Sequence, residues 1–112
     1  NKCKREPFMV LYVLKWSISS EQLNAYKKWA ELAIERTLIV PNVVEFRRYR
    51  TVASPSNQIV VTYEFTDLPA WAKWYSHEEV QKVLDELSML VSNFSTEIWN
   101  MAPIVPISNQ SE

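Results

Sequence analysis

Apolar and polar residues alternate along four segments of the chain, and this alternation predicts four β-strands. They are Phe8–Trp16, Val43–Val52, Ile59–Phe65 and Phe94–Ala102. The third alternates most clearly. The first is apolar on both alternating sets, whereas a strand with one face in water would place polar residues on that face. Both faces of the first strand are therefore expected to be covered.

Apolar residues at three- and four-residue steps predict helices between these strands. The first helix is expected to be capped by Ser19 or Ser20 and to run to about Leu38; Ser19 with Gln22 fits a capping box. A short helix capped by Thr66 or Asp67 follows the third strand. A longer helix opens with a second capping box, Ser76 with Glu79. Its apolar stripe is the strongest helical signal in the chain: Val80, Val83, Leu84, Leu87, Leu90 and Val91.

The element order is strand–helix–strand, a turn, then strand–helix–strand. This order predicts an α+β, ferredoxin-like βαββαβ fold, with a four-stranded antiparallel sheet and the helices on one face. The other face would be left bare, and so large an apolar face is unusual in a monomer. We therefore expect a homodimer that pairs its sheets.

The chain of 112 residues is expected to form one domain, with an N-terminal arm (1–7), a core (8–102) and a C-terminal tail (103–112). The tail is still partly apolar and is expected to lie on the protein or on its partner. A net charge of −1, with acids and bases mixed, disfavours nucleic acid as a partner. The apolar run Phe8–Leu14 is shorter than the ~20 residues of a membrane span. The single cysteine, Cys3, suits a reducing, cytoplasmic setting.

The chain contains no glycine, although average usage would give about eight. Phosphate-binding P-loops and dinucleotide-binding fingerprints need glycine for positive φ and close backbone approach. Both classes of site are therefore excluded.

Three stretches resemble the dimeric α+β barrel proteins, and within them the antibiotic-biosynthesis-monooxygenase-like group. They are Pro41-Asn42-Val43-Val44, the run from Val60 to Asp67, and the aromatic helix from Trp71 to His77. The resemblance implies a small dimer with a cavity between the sheet and its helices. It also implies a choice of activities: cofactor-free oxygenation of polycyclic phenols, haem degradation, lactone isomerisation, or none known.

Three features separate the chain from other members of this group. The haem-degrading branch has an asparagine on strand one and a histidine about ten residues beyond a helical tryptophan. Strand one has no asparagine here, and Leu84 stands ten residues after Trp74, so the haem set is missing. The group's glycine at the start of strand two is Asn42, which also tolerates the left-handed region.

A cofactor-free oxygenase needs only a base and a dry pocket, and we expect neither a cofactor nor a metal. The candidate catalytic residues are His77, the only histidine, and Glu64. A histidine in the first turn of a helix is more often structural. The candidate pocket residues are Tyr12, Tyr63, Trp71, Trp74 and Trp99. Trp71 and Trp74 share a helix face, which more often packs in a core than forms a ligand wall.

Three hypotheses remain open: a small-molecule enzyme, a non-catalytic dimer that binds a small apolar or aromatic molecule, and a structural assembly module. A cavity with His77 or Glu64 pointing inward favours the enzyme. A cleft at the dimer interface without a base favours the binding protein. A filled interior favours the structural module.

Overall fold

The structure is a computed structural model, which describes residues 9–53 and 58–100. These residues form four strands and three helices. They are β1 (Val10–Ser17), α1 (Leu23–Ile39), β2 (Glu45–Arg50), β3 (Gln58–Phe65), α2 (Leu68–Tyr75), α3 (Glu78–Leu90) and β4 (Ser92–Asn100). The expected N-terminal arm, the C-terminal tail and the turn at 54–57 lie outside the described residues.

The strands form one sheet in the order β2-β3-β1-β4, and every neighbouring pair is antiparallel. Tyr12 of β1 lies between Tyr63 of β3 and Ile98 of β4. The predicted α+β, ferredoxin-like arrangement is confirmed in its element order and its sheet. The third helix follows from the break between α2 and α3.

The core lies between one face of the sheet and the helices. From β1, it takes alternate residues Val10, Tyr12, Leu14 and Trp16, and all four are buried. The apolar set predicted for β3 faces the same way, because its members pair with these residues of β1. The apolar set predicted for β3 is therefore the one that faces the core, whereas the two apolar sets of β1 left its core face undecided.

The opposite face of the sheet, called here the second face, is mixed in character. Its central row runs from Arg47 through Thr62 and Val13 to Glu97 across the four strands. Thr62 and Val13 are buried, whereas Arg47 and Glu97 at the two edges are exposed. The second face is thus less apolar than the sequence of β1 alone suggests.

Helix caps differ in part from the predictions. Asp67 caps α2 as expected, because its side chain accepts a hydrogen bond from the backbone N–H of Ala70 at 2.9 Å. The prediction for Ser76 is wrong: it ends α2, and its hydroxyl donates to the carbonyl of Lys73. His77 is the N-cap of α3 instead, and its Nδ1 accepts from the backbone N–H of Glu79 at 3.1 Å.

Helix α1 begins later than predicted and buries a different stripe near its end. Ser19 and Gln22 bond to each other in the turn before the helix. Thr37 is buried where the periodicity predicts Leu38, which is partly exposed. A hydroxyl at a core position is tolerated because both of its hydrogen-bonding capacities are used, as described below.

The strand ends also shift. Strand β2 is shorter than predicted, and Val52 beyond it is fully exposed. Strand β4 begins two residues earlier than predicted, at Ser92. Asn42 has φ 98° and Asn93 has φ 55°, so asparagine takes the left-handed positions in this chain without glycine. None of the helices in the described residues is both long and apolar enough to cross a membrane.

Candidate functional site

A small cavity lies between the sheet and helices α1 and α3. It encloses about 30 Å³, which is room for one or two water molecules, since each needs at least ~10–15 Å³. Its wall is almost wholly apolar and includes residues of β1, α1, β2, β3 and α3: Leu14, Trp16, Tyr26, Trp29, Ala30, Ala33, Ile34, Thr37, Phe46, Arg48, Val61, Tyr63, Val83, Leu84 and Leu87. No carboxylate or imidazole belongs to this described wall.

Small residues on α1 leave this space open. Ala30 and Ala33 are buried and lie one turn apart on the helix face toward the sheet. Strands β1 and β3 present aromatic side chains, Trp16 and Tyr63, on the facing side. A larger residue at either alanine would fill the cavity. The sequence therefore keeps this part of the core less tightly packed.

One buried indole N–H belongs to the cavity wall without a hydrogen bond of ordinary geometry. It is Nε1 of Trp16, whose side chain is 4% exposed. The neighbouring Tyr26 phenol has a raised pKa, because burial outweighs the opposing effects of Trp16 and Arg48. The Trp16 indole N–H thus lies close to the Tyr26 hydroxyl, but the contact falls outside ordinary hydrogen-bond geometry. Such a donor costs about 1–3 kcal/mol when it is left unpaired.

Polar groups at the far wall are satisfied by one another. The Thr37 hydroxyl donates to the carbonyl of Ile34 at 2.8 Å and lies 2.9 Å from the Tyr63 hydroxyl. Because its only proton is used, Tyr63 must be the donor in the second bond. The indole of Trp74 donates to the carbonyl of Thr37 at 3.0 Å, in the last turn of α1, where carbonyls lack helical partners. Burial raises the pKa of Tyr63 to about 12.

Trp29 closes the cavity on the side of α3. Its indole Nε1 donates to a carboxylate oxygen of Glu86 at 2.7 Å. Arg36 bonds the same carboxylate at 2.9 Å and also pairs with Glu79. The Arg36 hydrogen bond, together with that of Trp29, lowers the pKa of Glu86. These exposed or half-exposed groups tie α1 to α3 over the cavity.

The cavity opens toward a groove between α1 and the end of β2. Arg48 belongs both to the cavity wall and to this groove, which measures about 600 Å³ and is open to solvent. Lys27 and Arg50 line it as well, with Tyr26 and Glu31. We call Lys27, Arg48 and Arg50 the cationic groove.

An aromatic cluster fills the core beside the cavity. Its members are Tyr12, Tyr63, Trp71, Trp74 and Tyr75, with ring centroids 4.7–5.9 Å apart in the contacting pairs. Trp71 stacks on Tyr75, and Trp74 is fully buried. The Nε1 of Trp71 is buried and also lacks a hydrogen bond. Burial raises the pKa of Tyr12 to about 12.

Glu64 and Trp99 lie on the second face of the sheet, away from the aromatic cluster. Both flank Leu11 of β1 in the register. The Glu64 side chain is buried, whereas Trp99 is half exposed and donates its indole N–H to Glu97. The two residues share an open hollow of about 300 Å³ with Arg47.

His77 is exposed at the start of α3, where it serves as the helix cap. It does not belong to the cavity wall. The structure therefore brings together Tyr12, Tyr63, Trp71 and Trp74 of the predicted residues, and of these only Tyr63 reaches the cavity. The catalytic roles assigned to His77 and Glu64 stay predictions, on two separate surfaces.

The sequence interpretation did not select most of the cavity wall. Trp29, Thr37 and Arg48 belong to this wall, and none of them was a candidate pocket residue. The sequence did mark Arg48 as unusual. Arg48 and Phe46 lie on the same face of β2, the face toward the helices, where a cation is unusual. Among the described residues, no cluster of three or more histidine, cysteine or acidic side chains is placed to hold a metal ion.

Comparison with known proteins identifies the fold. No family model and no curated protein sequence matches the chain. The chain is similar to a conserved protein from Methanosarcina mazei Go1, with a TM-score of 0.72 and 14% identity over 86% of this chain and 95% of that one. It is also similar to SnoaB, a cofactor-independent oxygenase from Streptomyces nogalater (TM-score 0.64, 12% identity, 88% and 97% covered).

A candidate antibiotic biosynthesis monooxygenase from Nitrosomonas europaea gives a similar result, with a TM-score of 0.68 and 12% identity over 88% of this chain and 94% of that one. The fold is therefore the one expected from the resemblance. Identities this low show a shared fold and leave the chemistry to the residues of the site.

Proposed function

We propose that this chain binds a small, flat, apolar or aromatic molecule in the cavity between its sheet and helices. The observation that carries the proposal is an almost wholly apolar space whose wall includes the indole N–H of Trp16, a donor without a hydrogen bond of ordinary geometry. A bound molecule with one oxygen or nitrogen acceptor would satisfy that donor and cover the aromatic wall. Sites of this kind combine apolar walls with a few convergent polar groups.

The ligand must enlarge the cavity, because about 30 Å³ is too small for a ring system. Trp29 is the side chain suited to move: it is half-buried, and a single hydrogen bond to Glu86 holds its indole. Outward rotation of Trp29 would widen the cavity on the side of α3. Binding is therefore coupled to release of the contact between α1 and α3.

The experiment uses N-phenyl-1-naphthylamine, a neutral dye that fluoresces in apolar surroundings. Trp29→Ala removes the closing side chain, and we expect this variant to bind the dye about tenfold more tightly. Ala33→Val fills the cavity, and we expect it to weaken binding about tenfold, each factor corresponding to about 1.4 kcal/mol. Ala25→Val is the matched control, because Ala25 is exposed on the same helix.

Urea unfolding of each variant separates loss of the site from loss of the fold. No dye binding by the folded wild type and by the folded Trp29→Ala variant would contradict the proposal. That result would favour the structural assembly module instead. Equal effects of Ala33→Val and Ala25→Val would place the dye elsewhere on the protein.

Cofactor-free oxygenation is the second candidate, favoured by the fold shared with SnoaB and by the almost wholly apolar cavity wall. The enzyme would need a base. Tyr26 and Tyr63 remain protonated at neutral pH, because burial raises the pKa of both. His77 and Glu64 would have to act from outside the described wall. The test is oxygen uptake with a panel of phenols and quinols. Turnover unchanged by His77→Ala and by Glu64→Gln would remove both from catalysis.

We further propose that two copies pair through the second face. Its centre includes the half-buried Leu11, and charges of both signs stand at its edges, as in many protein interfaces. A twofold axis along the strands, between β3 and β1, would set Arg47 of one copy opposite Glu97 of the other. The second face is thus complementary to itself in charge.

Light scattering tests this pairing. We expect a mass of about twice 13.2 kDa for the wild type. Leu11→Arg places a charge at the centre of the proposed interface and should yield monomers. Leu32→Arg, at an exposed position of α1, is the control and should leave the dimer intact. A wild-type monomer at micromolar concentration would contradict the pairing.

A further inference from the structure

The cationic groove lies directly outside the proposed ligand cavity. Arg48 and Arg50 stand on the helix-facing set of β2, since they pair with Val61 and Ile59 of β3. Those two partners contribute to the core, whereas both arginines are exposed. Lys27 approaches from α1 and lines the same groove.

The charges of this groove are unbalanced. Within the described part of the chain, the ion pairs involve Arg36, Arg47 and Lys82, and none involves Lys27, Arg48 or Arg50. Glu31 is the one acidic residue that lines the groove, so three cations face one anion. A second groove continues past Lys27 and Arg50 to Ser19 and Ser20. This end of the protein therefore presents a net positive concave surface, although the whole chain carries −1.

The positive charge extends to the mouth of the cavity. Arg48 is shared by the cavity wall and the groove, and its charge acts on the buried phenol of Tyr26. An anion bound beside Arg48 would lie within reach of Tyr26, while the attached apolar body would extend toward Trp16 and Ala33. Guanidinium groups bind oxyanions through charge-assisted hydrogen bonds.

We infer that the ligand of the cavity is an amphipathic anion, an apolar ring system bearing a carboxylate, sulfonate or similar oxyanion, which Lys27, Arg48 and Arg50 bind at the mouth. This inference rests on the proposed function and adds the polarity and orientation of the ligand. The ring system occupies the cavity, and the oxyanion remains in the groove, partly exposed to water.

Two dyes with one ring skeleton test the inference. N-phenyl-1-naphthylamine is neutral, and 8-anilino-1-naphthalenesulfonate is the same skeleton with a sulfonate. We expect the wild type to bind the sulfonate about tenfold more tightly in low salt, and added salt to reduce that preference. Lys27→Gln and Arg50→Gln together should abolish the preference without changing the binding of the neutral dye, because both residues line the groove and neither lines the cavity.

Lys28→Gln is the matched control, because Lys28 is exposed on α1 next to Lys27 and does not line the groove. It removes one positive charge and should leave both affinities unchanged. Equal binding of the two dyes by the wild type would overturn the inference and leave the cavity proposal standing. An equal loss of preference in Lys28→Gln would also overturn it, because a general charge effect would then suffice. Failure of both dyes to bind would refute the inference and the proposed function together.

Discussion

The hydrogen bond between Thr37 and Tyr63 should contribute measurably to stability, because it joins two buried side chains across the core. Thr37 is 2% exposed and Tyr63 is 5% exposed. Thr37→Val keeps the shape but removes the acceptor, so the Tyr63 hydroxyl is left buried without its partner. An unsatisfied buried group of this kind costs about 1–3 kcal/mol. This is a large share of the roughly 5–15 kcal/mol that stabilises a domain.

A double-mutant cycle isolates this bond. Tyr63→Phe alone should cost about 1 kcal/mol, and Thr37→Val alone about 2 kcal/mol. The double variant should cost about 1 kcal/mol less than the sum of the two, because removal of both partners leaves no orphaned hydroxyl. Urea unfolding followed by circular dichroism measures all four proteins.

Tyr49→Phe serves as the control for loss of a phenol, because Tyr49 is half exposed on the second face. It should change stability by less than about 0.5 kcal/mol. Strict additivity of Thr37→Val and Tyr63→Phe would refute the reasoning. So would a Thr37→Val variant as stable as the wild type.

Three further predictions concern pH and the cap. Burial raises the pKa values of Tyr12 and Tyr63 from 10.0 to about 12, so the unfolded chain loses these two protons at lower pH than the folded protein does. The free energy of unfolding should therefore fall between pH 10 and 12, and the fall should be about 3 kcal/mol smaller in Tyr63→Phe than in the wild type. Urea unfolding at each pH measures both. The lowered pKa of Glu86 means that its carboxylate contributes fully to stability above pH 4.5 and loses this contribution at lower pH. Glu86→Gln should therefore be about 1 kcal/mol less stable than the wild type at pH 7 and no less stable in acid. The same difference in stability at both pH values would contradict this. His77→Ala should lose about 1 kcal/mol of stability, because it removes the cap of α3. His77→Asp should restore the cap and the stability and should bind the dye as the wild type does. An equal loss of stability in both variants would argue against the capping role.

The sequence predicted the fold well because the alternation of apolar and polar residues within a strand involves only near neighbours in the chain. Alternation in β3 identifies the residues that face the core, and the doubly apolar β1 indicates a strand that is covered on both faces. The left-handed conformation of Asn42 agrees with the resemblance, because Asn42 stands where the resembled group has glycine. These features depend on near neighbours in the chain, which a periodic pattern records.

The candidate site was harder to predict because it depends on contacts between distant residues. Thr37 looks unsuited to a core until Tyr63, on another strand, satisfies its hydroxyl. The cap chosen between Ser76 and His77 depends on how α2 ends. The cavity depends on Ala30 and Ala33 facing large rings, and the sequence pattern does not record which rings lie opposite them.

The most direct test of the cavity proposal uses the five tryptophans as separate probes. Each indole gives one N–H cross-peak in a ¹H–¹⁵N spectrum, and N-phenyl-1-naphthylamine can be added stepwise. We predict that the peaks of Trp16 and Trp29 shift, while that of Trp99 on the second face stays in place. Shifts of Trp99 without shifts of Trp16 and Trp29 would contradict binding between the sheet and the helices.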